Sequence, residues 1–282
     1  MTALVRTEFV KAARRVRTLV VVLLLVGLPA LIVTAIHARG DRPGDGSGGP
    51  ADGLFRLARQ SGLLVPAAVL AALSAFLLVV IAGTFAGDSV AGDAGWGNLR
   101  YLLMRPVARG RLLAAKAFVA GVLIWASTIL AALAGLGAGV LLFGWHPVRV
   151  PFFVSNGTFV EFTRLSTTVM LERNALATAY VAFGFTALLA LGTLFSTLTD
   201  SAASAIGATI GVYIVSEILD AITALGRVRY GFPTHYAESW TSMFTQARFS
   251  HDMITGIVVQ ILYLVVAGGA AFVVFQRKDI RS

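Results

Sequence analysis

The sequence predicts an all-α polytopic membrane protein with six transmembrane helices, arranged as a single transmembrane domain over residues 1–282. Of its 282 residues, 57% are hydrophobic and only 13% are charged, more apolar side chain than a water-soluble core can enclose. The mean hydropathy is +0.82. Six apolar runs are each long enough to cross a bilayer, at about 18–36, 63–86, 117–143, 175–198, 202–225 and 256–275.

Charge sets the expected orientation of these spans. The net charge is +9, carried by the segments between spans, so it indicates membrane topology rather than nucleic-acid binding. An even number of spans puts both termini on one side. The lysines, Lys11, Lys116 and Lys278, then all fall on that side, which predicts cytoplasmic termini. The chain has no cysteine, and its four histidines lack metal-ligand spacing, so no metal site is expected.

Residues 1–17 predict a basic amphipathic helix lying along the inner membrane surface. Apolar residues recur at mixed i, i+3 and i+4 spacings, and the charged residues include Glu8, Lys11, Arg14 and Arg15. The alternative is a plain positive region before a membrane span. The run that follows reaches spanning length without a small-residue cleavage site, which favours a retained first span.

Residues 88–116 form the longest charged interval between two spans, and we expect them to lie outside the membrane, because their charges would each be costly in hydrocarbon. Asn98 can cap a short helix that ends before Pro106. Leu99 and Leu103 share one face of it, a pattern typical of docking on an apolar groove. The alternative is a solvated basic loop.

Three further features are predicted between the later spans. The stretch PFFVSNGTFVEF predicts a small external hairpin turning at Asn156-Gly157. Asp200 or Ser201 can cap the fifth span. In the loop of residues 226–255, Trp240 is expected to be an interfacial anchor.

The sequence contains no phosphate-binding loop, because Gly110 to Lys116 lacks the second glycine and the hydroxyl residue of that motif. Glu217 and Asp220 lie on one face in the outer half of the fifth span. They either face external water or pair with Arg227 or Arg229, or they belong to a translocation path for a substrate or ion.

Four stretches together resemble the permease subunits of type-2 ABC exporters: TEFVKAARRVRT, AGDAGWGNLRYLLMRPVARGRLLAAK, STLTDSAASA and FQRKDI. The resemblance extends over nearly the whole chain. It implies that the N-terminal helix is an interfacial connecting helix, and that the segment between spans two and three carries a short cytoplasmic coupling helix that docks on a separate ATP-binding subunit.

The resemblance also implies which residues couple to that partner: Gly92, Asp93, Gly97, Leu99, Arg100, Leu103, Pro106, Arg109 and Lys116. Many relatives have Glu where this chain has Asp93. ATP and Mg would be bound by the partner and no cofactor by this chain.

A second permease unit, identical or different, would complete a plasma-membrane exporter of an amphipathic or hydrophobic solute such as a drug, lipid or antibiotic-like compound. The alternative function is a six-span membrane scaffold or intramembrane enzyme without transport.

Overall fold

The computed structural model of the chain describes residues 2–38, 58–95, 108–153, 160–244 and 250–278, and most of them are helical. The α-helices are α1 (Thr2–Ala13), α2 (Val16–Ala38), α3 (Val65–Ser74), α4 (Leu77–Gly95), α5 (Arg109–Phe143), α6 (Thr167–Gly184), α7 (Thr186–Leu198), α8 (Ala202–Ala221) and α9 (His251–Arg277). Short 3-10 helices cover Gly62–Leu64, Thr223–Gly231 and Ser239–Phe244.

Six helical stretches among the described residues are long and apolar enough to cross a membrane. They are Val16–Ala38, Leu77–Gly95, Arg109–Phe143, Thr167–Leu198, Ala202–Ala221 and His251–Arg277. The predicted fold class is therefore confirmed. The predicted short helix that follows Asn98 lies outside the described residues. Helix α1 occupies most of the predicted N-terminal segment, and its contact with a membrane surface stays a prediction.

The hairpin consists of two antiparallel strands, β1 (Val148–Phe153) and β2 (Val160–Leu165). Its register runs from Val148 opposite Leu165 to Phe153 opposite Val160 and is centred on the Asn156-Gly157 step. The turn predicted at that step lies outside the described residues.

Two of the predicted spans are not single helices. The second is divided at Ala75 and Phe76, between α3 and α4, and the fourth is divided at Phe185, between α6 and α7. The fifth begins as predicted at Ser201, whose hydroxyl accepts a hydrogen bond from the Ser204 amide.

The interval predicted as a connecting loop is shorter than expected at both ends. Helix α4 continues to Gly95 and α5 already begins at Arg109, so Asp88, Asp93 and Lys116 are helical residues. The prediction of a loop over residues 88–116 was therefore wrong at its ends. It treated each charge as unpaired, whereas the fold pairs Asp88, Asp93 and Lys116.

Helix α4 lies at the centre of the bundle, in contact with α5, α7 and α8, while α9 packs on α7 and α2 lies along α5. The main apolar core includes Trp240, which is only 1% exposed. The prediction that Trp240 is an interfacial anchor was therefore wrong, because its ring packs inside the protein beside Phe244.

A second, smaller core lies where α4, α5 and α9 meet at the end of the bundle that carries both termini. We call it the small core; its buried members are Val90, Leu112, Leu113, Ala271 and Phe275. Leu4 of α1 and Leu194 of α7 pack against it. Five helices are thus joined beside the point where α4 ends and α5 begins.

Candidate functional site: an ion-pair cluster between α1, α4 and α5

Seven charged side chains converge beside the small core, at the junction of α1, α4 and α5. We call them the ionic cluster: Glu8, Lys11, Arg15, Arg17, Asp88, Asp93 and Lys116. With three acids and four bases, the cluster carries one excess positive charge. The same residues line a small cleft whose apolar wall includes Phe85 and Val119.

Asp93 is the centre of the cluster. Its Oδ1 accepts a hydrogen bond from Lys11 of α1, and its Oδ2 accepts one from Lys116 of α5. The Lys116 ammonium also binds Glu8 Oε2 at 3.1 Å. One carboxylate near the end of α4 therefore binds the other two helices, and Glu8 of α1 is the second acid that binds Lys116.

Asp88 forms the second centre, about one and a half turns earlier in α4. Its Oδ2 accepts a hydrogen bond from Arg15 and lies 2.5 Å from Arg17 Nη2. The Arg17 guanidinium also lies over the Phe85 ring, 5.9 Å from its centroid. Asp88 thus attaches the start of α2 to α4.

The burial of these charges makes their pairing essential. Asp93 is 2% exposed and Lys116 is 3% exposed. Removing one partner of such a buried pair costs about 3–5 kcal/mol, because the other charge stays uncompensated. Asp93 also lies in the last turn of α4, where the helix dipole disfavours an acid, so the two lysines offset that effect as well.

Two small residues allow this part of α4 to take its place. Gly92 leaves room for the Asp88 carboxylate, which occupies the space that a Cβ at residue 92 would need. Ser196 of α7 is fully buried, and its Oγ accepts hydrogen bonds from the Val90 and Ala91 amides at 2.9 and 2.8 Å. Helix α7 therefore binds α4 at a point that lies between Asp88 and Asp93.

Arg109 lies outside the cluster. Its Nη1 donates hydrogen bonds to the carbonyl oxygens of Gln276 and Lys278, at the end of α9. Of the other residues implied to couple to a partner, Gly97, Leu99, Arg100, Leu103 and Pro106 lie outside the described residues. Arg14, predicted with α1, is exposed.

Near the C-terminal end of α8, Asp220 binds His235 Nδ1 at 2.5 Å and lies 3.5 Å from Arg229 Nε. The sequence alternative that paired Asp220 with Arg229 is therefore the one observed. Glu217 is exposed and has no ion pair within the described residues, so its two alternatives, facing external water or belonging to a translocation path, both stay predictions. Across those same residues, no group of three or more His, Asp or Glu side chains could hold a metal ion.

The sequence identified Glu8, Lys11, Arg15, Asp93 and Lys116 but not that they bind one another. It missed Asp88, Arg17 and Ser196 as site residues. The available signal was complementary charge: the basic α1 precedes a span, and two acids follow a later one. Only the fold brings them within contact.

The sequence profile of the family described as "ABC-2 family transporter protein" matches residues 2–280. The chain belongs to the ABC-2 transporter family. No curated protein matches it.

ABC-2 permeases are membrane transport components that generally pair with a separate ABC ATP-binding subunit and are generally not catalytic themselves. The chain is thus a multi-pass membrane protein of a transport system. Within it, the ionic cluster flanks the segment that resembles the coupling segment of such permeases.

Proposed function

We propose that the chain is the permease of an ATP-driven exporter, and that the ionic cluster connects its coupling segment to the spans. One observation carries this proposal. Asp93 and Lys116 stand on either side of segment 96–107, bind each other, and bind α1 through Lys11 and Glu8. A displacement of that segment would therefore move α1, α4 and α5 as one body.

The mechanism is alternating access. ATP and Mg bind to the partner subunit, whose closure displaces segment 96–107 in each of two permease units. Because the ionic cluster and the small core hold the ends of five helices together, the displacement rotates spans instead of fraying one helix. Asp93 and Lys116 are buried, so their part in coupling is to transmit motion from inside the permease.

The solute is an amphipathic or hydrophobic compound. The family resemblance supports this class of solute, and the charges of the ionic cluster lie at the end of the bundle rather than along the spans. Six spans and the lysine distribution support a plasma-membrane location with both termini cytoplasmic.

Co-purification with a double variant tests this function. If Leu99 and Leu103 fill a groove on the ATP-binding partner, Leu99→Asp with Leu103→Asp removes apolar burial of about 1.5–3 kcal/mol per side chain and adds charge against the groove. We expect association with the partner and export to fall together, while the permease remains at normal levels in the membrane.

Arg100→Gln is the control within the same segment. A charge at the rim of an interface mainly affects encounter rate and salt sensitivity, so this variant should bind almost normally. Wild-type association of the double Asp variant would contradict the docking role. Absence of any ATP-binding subunit from gently solubilised wild-type complexes would instead favour a scaffold or intramembrane enzyme.

A further inference from the structure

The first residue of α5 contacts the last residues of α9. Arg109 Nη1 donates hydrogen bonds to the Gln276 oxygen at 3.2 Å and to the Lys278 oxygen at 3.0 Å. Helix α9 ends at Arg277, so these carbonyls belong to the group that a helix cannot satisfy by itself. A guanidinium is also favourable at this end of a helix dipole.

Close packing accompanies these hydrogen bonds. The Phe272 ring of α9 occupies the space that a Cβ at Gly110 would need. Any larger residue at position 110 would therefore push α5 and α9 apart. One turn further along each helix, Leu113 and Phe275 lie in the small core. Arg109 therefore fixes the orientation of a contact that is already tight.

Three of the four stretches that carry the family resemblance meet at this point. Arg109 lies in the second of those stretches, Asp200 in the third and Lys278 in the fourth. Lys278 Nζ binds Asp200, between α7 and α8, at 2.6 Å. The Asp200 side chain is 72% exposed, and solvent-exposed ion pairs contribute little to stability. The carbonyl hydrogen bonds of Arg109 thus add a polar connection between α5 and α9 to the apolar packing in the small core.

We propose that Arg109 is a positioning residue that fixes the end of α9 to the first turn of α5, so that a displacement of segment 96–107 reaches the sixth span. The proposal rests on the proposed function. It gives Arg109 an inward role, whereas a docking role would need its guanidinium on the partner. The ionic cluster connects one end of segment 96–107 to α1, and Arg109 connects the other end to α9.

The first arm of the test needs no partner. Hydrogen exchange of residues 270–278 is compared in the purified permease and in the variants Arg109→Ala, Arg109→Lys and Arg111→Ala. Arg111 lies two residues later in α5 and is exposed, so it is the matched control. We expect several-fold faster exchange in Arg109→Ala, a partial effect in Arg109→Lys, and no change in Arg111→Ala.

The second arm follows motion in the assembled complex. The chain has no cysteine, and Gly137 of α5 and Gly269 of α9 both have open space around a Cβ, so either accepts a single reporter cysteine. Thiol labelling is measured with and without ATP plus vanadate. In Arg109→Ala we expect the nucleotide-dependent change at Gly269→Cys to fall several-fold while that at Gly137→Cys persists, with partial rescue by Arg109→Lys.

Each remaining outcome overturns the proposal. Unchanged exchange in Arg109→Ala shows that the connection to α9 does not exist. Faster exchange with an unchanged response at Gly269→Cys shows a structural role only. Loss of partner association in Arg109→Ala assigns the residue to docking. If the wild-type chain binds no ATP-binding subunit, the proposed function fails and the coupling role with it, while the exchange arm still reports on the connection itself.

Discussion

Asp93 is the residue on which the ionic cluster depends most, because each of its oxygens binds a different helix. Asp93→Asn keeps the shape of the side chain and removes its charge, leaving the Lys116 ammonium without its main partner. We expect a loss of about 3–5 kcal/mol in the free energy of unfolding, measured by thermal unfolding in detergent. Asp93→Glu keeps the charge and should lose less.

A double-variant cycle separates this charge effect from other damage. Lys116→Met fills a similar volume without charge, so Asp93→Asn with Lys116→Met should be more stable than the sum of the two single changes predicts. Asp200→Asn is the exposed control, and its effect should stay within about 1 kcal/mol. Strict additivity of the two buried changes would show that Asp93 and Lys116 do not stabilise each other.

At the scale of elements, hydropathy predicts that six spans exist but not where they end. The second span appeared to stop at Ala86, because each charge beyond it was counted as unpaired in hydrocarbon. In the fold, Asp88 and Asp93 are neutralised by bases from α1 and from the start of α2, so the helix continues to Gly95. The end of the second span was predicted wrongly because the bases that pair with Asp88 and Asp93 lie far away in the sequence.

The two helix breaks, in the second and fourth spans, also could not be predicted from the sequence. Neither contains proline, and only the second, at Phe185, follows a glycine. That break is stabilised from another helix: Gln260 Oε1 of α9 accepts a hydrogen bond from the Ala187 amide at 2.9 Å, and its Nε2 donates one to the Pro233 oxygen at 3.0 Å. The break thus depends on a residue 73 positions later.

Gln260→Leu tests this account of the fourth span. The substitution leaves the Ala187 amide and the Pro233 carbonyl without their partner, and an unsatisfied buried polar group costs about 1–3 kcal/mol. We expect lower thermal stability in detergent. Gln276→Leu, an exposed position on the same helix, should be nearly neutral. Equal stability of the two Leu variants would contradict the role of Gln260.

At the scale of the whole molecule, α8 and α2 are the two described spans with the least internal support. The buried residues of α8 are Ala205, Thr209 and Ser216, while Gly207 and Gly211 have no atom within 4 Å of where a Cβ would lie. Their i, i+4 spacing is the small-xxx-small pattern that allows close contact between membrane helices. Among the described residues neither glycine has such a contact. We predict that the contact forms with a second permease unit.

Cysteine cross-linking in membranes tests this pairing. With two copies of the chain related by a two-fold axis, α8 would approach its own counterpart, because small residues let helix backbones come together. Gly211→Cys has room for its side chain, so the substitution itself should not disturb the fold. We expect oxidation to give a disulfide-linked dimer in the full complex.

Gly269→Cys on α9 is the matched control, since it is also a glycine in a span with open space around its Cβ. Its cross-linking should be weak, because α9 packs closely against α7 in the same chain. Equal cross-linking at both positions would indicate random collision. A dimer formed only through residue 269 would move the contact between permease units from α8 to α9.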